Sequence, residues 1–233
     1  MRTDLLHVLN RARSNRHAVA TLTSLSGETT ALYHESDRPG GALEAALAGA
    51  FRSGKPATVE LDGESFFLNV YLPPARIVVI GAVHISQALA PMAKIAGFDL
   101  TVIDPRTAFA TPERFEGVDL VADWPEDVLG TRPLDAYTAL AAVTHDPKID
   151  DFPLATALKT GCFYVGALGS RKTHAKRLER LKAEGLDDAA LARISAPIGL
   201  DIGAATPAEI AVAVLADIIQ AYRRRDLAKG AAA

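Results

Sequence analysis

The side chains best suited to chemistry follow short apolar runs, and the segment after Val165 is the most informative of these. Gly166 and Gly169 let the backbone approach a ligand closely, and Ser170 can cap the helix that starts next. Arg171 adds positive charge at the helix N-terminus, where it opposes the helix dipole unless an anion is bound. We therefore predict phosphate binding here. For the later cations of the helix we expect a solvated basic face, made of Lys176, Arg177 and Arg180.

A second chemically capable segment, residues 144–148, contains His145 and Asp146. An imidazole titrates near neutral pH, so His145 could carry a proton or bind a metal ion, oriented by a neighbouring carboxylate. A histidine at the end of a strand is also a common structural hydrogen-bonding group. Because ligands of open parallel sheets lie at the carboxyl ends of the strands, we predict a catalytic role for His145 and Asp146.

The turn at residues 81–84 stands where a dinucleotide-binding fold has its glycine-rich loop. It matches the GxGxxG pattern poorly, because Val83 and Ser86 occupy the second and third glycine positions. A β-branched side chain would crowd a pyrophosphate, which weakens the case for NAD binding, and a plain connection between strand and helix is the alternative. We predict ligand contacts from Gly81 and His84.

Two further segments complete the predicted site. Asp104 stands 23 positions after Gly81, where a carboxylate conventionally accepts ribose hydroxyls, and Arg106 beside it could bind a phosphate. The alternative is that Asp104 caps the next turn or pairs with Arg106. Asp201 lies in the glycine-containing segment 197–203, which could complete the pocket or serve as a rigid linker.

Helices and hairpins alternate in the first part of the chain. The predicted elements are a helix over 3–14, strands at 18–25 and 29–33 joined by the turn 26–28, a helix over 42–52, and strands at 57–61 and 65–71. Asp62-Gly63 is a strong hairpin signal between the last two strands. Pro73 and Pro74 then interrupt any regular element. We predict a small α+β domain over residues 1–72.

From Ala75 onward strands and helices alternate, which predicts a parallel sheet. The predicted strands are 76–80, 99–103, 118–122, 138–143 and 162–165. The predicted helices are 86–96, 154–159, 170–183 and 206–225. This α/β pattern predicts a second domain over residues 75–228, with a Rossmann-like sheet of at least five strands and helices on both faces.

Composition narrows the range of partners. A formal net charge of -3 gives no general attraction to nucleic acid or to an anionic membrane. The apolar runs are far shorter than the roughly 20 residues of a membrane-spanning helix. The single Cys162 cannot form an intramolecular disulfide, which fits the cytoplasm, and the lack of a Cys/His cluster argues against a zinc or iron–sulfur site.

Five segments of the second domain, taken in order, closely resemble the C-terminal domain of the XdhC/CoxI family. They are GAVHISQALAPMAK, VIDPR, THDPKIDD, YVGALGSRKTHAKRLERL and PIGLDIGAATPAEIAVAVLADII, which together lie within residues 75–222. Members of this family are accessory proteins of molybdenum hydroxylases such as xanthine and carbon monoxide dehydrogenases. The agreement of five separate segments is far more specific than one glycine motif.

The resemblance implies a non-catalytic maturation factor, or chaperone, that binds the molybdenum cofactor, molybdopterin or its dinucleotide form. Its partners would be an apo molybdenum hydroxylase and a sulfurtransferase, and a second copy of the chain in a homodimer is a further candidate. The family usually has GxGH in the first loop, where this chain has Val83, and longer members carry an N-terminal cysteine segment with no counterpart here. The rival hypothesis is an NAD(P)-dependent oxidoreductase that uses the same cleft.

Overall fold

Runs of β-branched and aliphatic residues form the strands of two separate sheets. The computed structural model describes residues 3–27 and 29–229, with side chains described up to residue 224. The chain divides into two compact units, Met1–Pro73 and Pro74–Ala233. Glu28, which belongs to the turn predicted at 26–28, lies outside the described residues.

The described part of the first unit forms an antiparallel sheet of four strands with two helices. Its elements are α1 (Thr3–Ser14), β1 (Val19–Ser24), β2 (Thr30–His34), α2 (Gly41–Ser53), β3 (Ala57–Leu61) and β4 (Glu64–Tyr71). The strand order is β2-β1-β4-β3. The predicted Asp62-Gly63 turn joins β3 to β4, and both residues have positive φ angles, 51° and 83°. Val19 and Leu68 are fully buried in this unit.

The second unit alternates strands with helices, as predicted. Its elements are β5 (Arg76–Ile80), α3 (His84–Ile95), β6 (Asp99–Ile103), a 3-10 helix (Pro112–Arg114), β7 (Asp119–Val121), α4 (Pro125–Thr131), β8 (Thr138–Ala142), α5 (Pro147–Thr160), β9 (Tyr164–Ala167), α6 (Arg171–Ala183), α7 (Asp188–Leu191), β10 (Ile194–Ser195) and α8 (Pro207–Lys229). The α/β fold class and the Rossmann-like parallel sheet are confirmed.

Within the described residues this sheet has six parallel strands in the order β10-β9-β8-β5-β6-β7. The chain runs outward from β5 in one direction and then returns to β8 on its other side. The loops after β5 and β8 therefore diverge at the carboxyl edge of the sheet, which is where open α/β sheets bind ligands.

Helices cover both faces because successive strand residues point to opposite sides. Ile77 and Val79 pack with α3 and α8, whereas Val78 and Ile80 pack with α4, α5, α6 and α7. The strand β8 is buried along its whole length, as expected for a central parallel strand.

Several predicted boundaries were wrong. The helix predicted at 154–159 begins at Pro147, because proline is well placed in a first turn and Asp146 caps it. The strand predicted at 162–165 is Tyr164–Ala167, since the Cys162 N–H donates to Ala157 O and closes the end of α5. The sequence also did not indicate α4, α7, the 3-10 helix or β10, which are all short.

Candidate functional site

A cavity of about 330 Å³ opens beside the carboxyl end of β8, between α5 and α6. Its lining comes from the first part of α5, the preceding loop and one side of α6: His145, Pro147, Asp150, Asp151, Lys172, Thr173, Lys176, Arg177 and Arg180. We call it the α5–α6 cavity. This volume is at the lower end of the range for small-molecule sites, which extends from roughly 300 to 1,000 Å³.

Arg177 is the most unusual residue of the cavity, since only 2% of it is exposed. One Nη donates to the Leu168 carbonyl oxygen at 2.9 Å. The Nε and the other Nη are buried and have no hydrogen-bond partner among the described residues. Burial lowers the pKa of Arg177, while the carboxylates of Asp150 and Asp151 act in the opposite direction. The prediction that Arg177 belongs to a solvated basic face was wrong.

Asp150 is a buried carboxylate at the base of the loop that carries His145. It is 1% exposed and accepts hydrogen bonds from Thr144 Oγ1 at 2.7 Å and from the His145 backbone N–H at 3.1 Å. Burial raises the pKa of Asp150 to about 6, although the hydrogen bond from Thr144 and the charge of Arg177 oppose the rise. A carboxyl group in this setting changes its charge far closer to neutral pH than an exposed one does.

The loop before α5 holds His145 in a left-handed conformation, with φ 66°. Few residues other than glycine adopt this conformation, although histidine tolerates it better than most. The His145 side chain is exposed and lines the cavity. Asp146 is the N-cap of α5, and its Oδ1 accepts the Lys148 backbone N–H at 3.0 Å. Asp146 therefore has a structural role as a helix cap. The catalytic role of His145 and Asp146 stays a prediction.

Positive charge exceeds negative charge in the cavity lining. Arg180 is bound to Asp151 through both Nε and Nη2, and that pair is partly buried. Lys172 and Lys176 form no ion pair with any residue that the structure describes. They stand four residues apart on α6 and so lie on the same side of the helix. The cavity thus offers cations that the protein itself does not neutralise.

Asp104 and Arg106 lie against the first loop rather than in the α5–α6 cavity. The Asp104 side chain is fully buried, and its two oxygens accept hydrogen bonds from the backbone N–H groups of Ala82 and Arg106 and from the Arg106 guanidinium at 2.7–2.9 Å. Burial alone would raise the pKa of Asp104, but these hydrogen bonds outweigh it and lower that pKa. The pairing considered as the alternative to ribose binding is therefore present. The hydrogen bonds to Asp104 raise the pKa of Arg106, and the charges of Asp146 and Asp150 add to that rise.

Gly81 serves close packing between the loops after β5 and β8. It has φ 122°, and a Cβ at this position would lie 2.9 Å from Thr144 Cγ2. Ser86, at the third glycine position of the motif, is buried and donates its hydroxyl to the Gly81 carbonyl oxygen. His84 is the exposed first residue of α3, whose preceding residue provides no side-chain cap. Backbone N–H groups at such a helix start are free to bind an anion.

The four residues predicted around the start of α6 have different roles. Gly166 belongs to β9, and a Cβ there would lie 2.7 Å from Ile198 Cγ1, so it serves packing. Gly169 has φ 137° and lies next to Thr173. Ser170 caps α6 through the Thr173 N–H at 3.2 Å, as predicted, and Arg171 is exposed at the first helical position.

Two predicted features lie away from these loops. Asp201 is exposed in the segment after β10. That segment packs on α8, where a Cβ on Gly199 would lie 2.9 Å from backbone atoms of Ala213 and Val214. Cys162 is fully buried, and burial raises the pKa of its thiol to about 12. A thiol of this kind is not a nucleophile at neutral pH.

Of the predicted site residues, His145 alone lines the α5–α6 cavity in the part of the chain that the structure describes, residues 3–27 and 29–229. The buried partners around it, Asp150 and Arg177, were not predicted as site residues. A signal was present in Asp150 and Asp151, because two consecutive carboxylates in the apolar first part of a helix need partners if they are buried. Across the same ranges, no group of three or more His, Cys, Asp and Glu side chains is arranged to hold a metal ion.

Comparison with known proteins identifies a family and several relatives of this chain. Residues 77–218 match the family described as the XdhC Rossmann domain. A Bacillus subtilis (strain 168) protein named as a probable xanthine dehydrogenase component is 32% identical over 161 residues, which are 69% of this chain and 47% of that protein. The Escherichia coli (strain K12) molybdenum cofactor insertion chaperone PaoD is 28% identical over 148 residues, or 64% of this chain and 40% of that protein.

A solved structure supports the fold. The crystal structure of a protein from Bacillus halodurans described as a xanthine dehydrogenase has a TM-score of 0.65 at 23% identity, covering 97% of this chain and 68% of that chain. The chain spans less than half the length of the curated relatives that it matches. None of the helices in the described part of the chain has the length and apolar character needed to cross a membrane.

Proposed function

Because the chain belongs to the XdhC Rossmann domain family, we propose that it is a cytoplasmic maturation factor for a molybdenum hydroxylase. In this proposal it binds the molybdenum cofactor as cargo and assists its sulfuration or its insertion into an apo-hydroxylase of the xanthine or carbon monoxide dehydrogenase type. The role named for one relative, insertion of the molybdenum cofactor, supports this proposal.

The observation that carries the proposal is the cationic cavity at the carboxyl edge of the sheet. A pterin cofactor of this kind ends in a phosphate, so its carrier needs positive charge that is not already neutralised. Lys172 and Lys176 supply such charge, and Arg177 has buried N–H groups without partners among the described residues. The donor set of the cavity therefore fits a phosphate-bearing cargo.

We assign the predicted residues to this cargo as follows. The uncapped N–H groups at the start of α3 and the exposed start of α6, with His84, Gly169 and Arg171 beside them, would face its polar groups. His145 would contact the cofactor from the β8 loop, held in position by the Asp146 cap and by Asp150. Arg106 would add charge from the neighbouring loop, while Gly81 and Asp104 position that loop.

The function is capture and handover. When bound in a hydroxylase, the cofactor supplies the redox chemistry of that enzyme, and the carrier's task is to hold it away from water and oxidants until then. Contact with the apo-hydroxylase would weaken the binding of the cofactor to the carrier and release the cofactor. A sulfurtransferase that modifies the bound cofactor is the second partner in this proposal, and a homodimer is compatible with it.

The rival function, an NAD(P)-dependent oxidoreductase, has weaker support. Dinucleotide folds recognise the ribose with a free carboxylate after the second strand. Here the corresponding Asp104 is fully buried, and both of its oxygens are bound to Arg106 and to backbone N–H groups. Val83 adds a second obstacle, because it stands where the motif requires glycine.

The test compares ligands directly. Purified protein is incubated anaerobically with molybdenum cofactor released from a molybdoenzyme, with NAD and with NADP, and bound ligand is measured after gel filtration. We expect the molybdenum cofactor to co-elute with the protein and to restore activity when an apo-hydroxylase is added. Saturable NAD or NADP binding with hydride transfer, and no cofactor retention, would overturn the proposal in favour of the oxidoreductase.

A further inference from the structure

Arg177 has a combination of properties that points to a missing ligand. It is a guanidinium with 2% exposure that makes one hydrogen bond, to the Leu168 carbonyl oxygen, and has two buried nitrogens without a partner among the described residues. Buried cations are normally paired and hydrogen-bonded, because desolvation of an unsatisfied charged group is costly. Unsatisfied donors on a buried guanidinium next to a cavity therefore indicate that a ligand binds there.

The nearby carboxylates do not supply the missing partners. Asp151 is occupied by Arg180, which binds it through two nitrogens. Asp150 influences Arg177 through its charge, but its oxygens accept from Thr144 and from the His145 backbone N–H. The Arg177 Nε and one Nη therefore receive no partner from the described residues, although Arg177 lines the cavity.

The other cations of the cavity come from the same helix. Lys172 and Lys176 lie within about one and a half turns of Arg177 along α6, both are exposed, and all three line the cavity. A buried, planar guanidinium suits oxygen atoms of a phosphate held in a fixed orientation, whereas exposed lysines act as point charges that screen the remaining negative charge.

We infer that the α5–α6 cavity is a phosphate-binding site in which Arg177 is the buried contact and Lys172 and Lys176 are the outer contacts. This inference rests on the proposed function for the identity of the physiological ligand, and it deepens that proposal by assigning the phosphate end of the cargo to α6. The chemistry recognised is a phosphate or pyrophosphate group, whether it belongs to the pterin cofactor or to a free nucleotide.

Charge and size favour phosphate over a larger polyanion. The lining contains four cations and two carboxylates, so its excess of positive charge matches one phosphate group. The cavity volume of about 330 Å³ accepts a small ligand or one end of a larger one. The net charge of -3 makes the protein as a whole a poor surface for nucleic acid.

The test uses inorganic phosphate and pyrophosphate as probes, measured by titration calorimetry at constant ionic strength. The first variant is Lys172→Gln combined with Lys176→Gln, which removes two exposed charges and leaves the core intact. Its matched control is Lys94→Gln combined with Lys159→Gln, which removes the same charge from the last turns of α3 and α5. We expect pyrophosphate binding to weaken by about tenfold in the first variant and by less than about twofold in the control.

Arg177 is tested by two substitutions, with thermal unfolding as a check of the fold. Arg177→Lys retains a charge but loses the planar set of donors, and Arg177→Met removes both. We expect weaker pyrophosphate binding by Arg177→Lys and none by Arg177→Met. If either of these two variants fails to fold, the comparison of the Lys172→Gln/Lys176→Gln double variant with its control decides the question. Equal loss of binding in that double variant and in its control, or no binding by the wild type, would overturn the inference.

Competition separates this inference from the proposed function. Pyrophosphate should displace the molybdenum cofactor, and the Lys172→Gln/Lys176→Gln double variant should retain less cofactor than the wild type. Lysine-dependent pyrophosphate binding without any cofactor retention would uphold the phosphate site and refute the cofactor carrier. Cofactor retention that neither pyrophosphate nor the lysine substitutions affect would refute the phosphate site and leave the carrier standing. AMP and ATP in the same competition distinguish a nucleotide from the pterin cofactor as the source of the phosphate.

Discussion

Gly81 and Thr144 pack so closely that a Cβ added to Gly81 would lie 2.9 Å from the Thr144 Cγ2 atom. The contact joins the loop after β5 to the loop after β8, at the point where the strand order reverses. Thr144 in turn donates to Asp150, the buried carboxylate that also accepts the His145 backbone N–H. The glycine of the first loop therefore sets the position of the loop that carries His145.

Gly81→Ala is expected to destabilise the protein by about 3 kcal/mol, because the new methyl group meets Thr144 and a φ of 122° is strained for alanine. Gly97→Ala is the matched control. Gly97 also has a positive φ, 82°, but a Cβ there meets no atom within 4 Å, so its cost should be about 1 kcal/mol. Urea denaturation of both variants measures the difference. Equal costs would show that backbone strain, and not the contact with Thr144, requires the glycine.

Asp104→Asn is expected to lower the free energy of unfolding by about 3 kcal/mol, because it leaves the Arg106 guanidinium and a buried backbone N–H without a carboxylate. Asp119→Asn serves as the comparison. The Asp119–Arg132 pair is about half exposed, and its loss should cost less than about 1 kcal/mol. Chemical denaturation at neutral pH measures both. Similar small costs would mean that Asp104 is free to serve a ligand.

Asp150 should make stability fall as the pH rises from about 4 to above 6. Its pKa in the folded protein, about 6, lies above the ordinary value of 3.8, so folding favours the protonated form. That contribution is fully present below the unfolded-state pKa and is lost as the pH rises through the folded-state pKa. The loss amounts to about 3 kcal/mol.

The measurement is the free energy of unfolding of the wild type and of Asp150→Asn across this pH range. The asparagine variant lacks the titrating group, so its stability relative to the wild type should increase with pH by about 3 kcal/mol. A difference between the two proteins that stays constant with pH would contradict the raised pKa.

His145→Asn is expected to separate the role of the imidazole from that of the backbone. Asparagine tolerates the left-handed conformation at φ 66° and retains the N–H that Asp150 accepts, so stability should change by less than about 0.5 kcal/mol. If His145 contacts the cofactor, retention of the molybdenum cofactor should fall by about tenfold, the loss of one good polar contact. His7→Asn removes an exposed histidine from α1 and should leave retention unchanged. Full retention by His145→Asn would limit this residue to a structural role.

Local sequence patterns determined several elements of both units. The strands Arg76–Ile80 and Asp99–Ile103 lie where the sequence predicted them, because a short run of β-branched and aliphatic residues between turn-forming residues has few other folded states. The Asp-Gly turn between β3 and β4 was predictable for a similar reason, since two residues with positive φ are needed and these residue types accept them. Asp104 and Arg106 are only two positions apart in the sequence, so their pairing could be considered from the start.

Features that depend on contacts with neighbouring elements were harder to predict from the sequence. The sequence placed the start of α5 after Pro153, yet the helix starts at Pro147 and continues through that proline. Strand β10 contains two residues and exists because β9 provides a parallel partner. Gly166 lies inside β9, which extends to Ala167, and its missing side chain makes room for Ile198, while its place beside a ligand stays a prediction.

The sequence by itself determined the alternation of strands and helices, the parallel sheet and the edge at which the loops after its strands meet, because these follow from periodicity and from short-range turn chemistry. The tertiary structure decided which cations of α6 face solvent and which are buried. Arg177 and Lys176 are neighbours in a highly charged helix, and one is buried while the other is exposed. That difference depends on how α6 packs against α5 and the Leu168 carbonyl group, contacts between segments that no local pattern encodes.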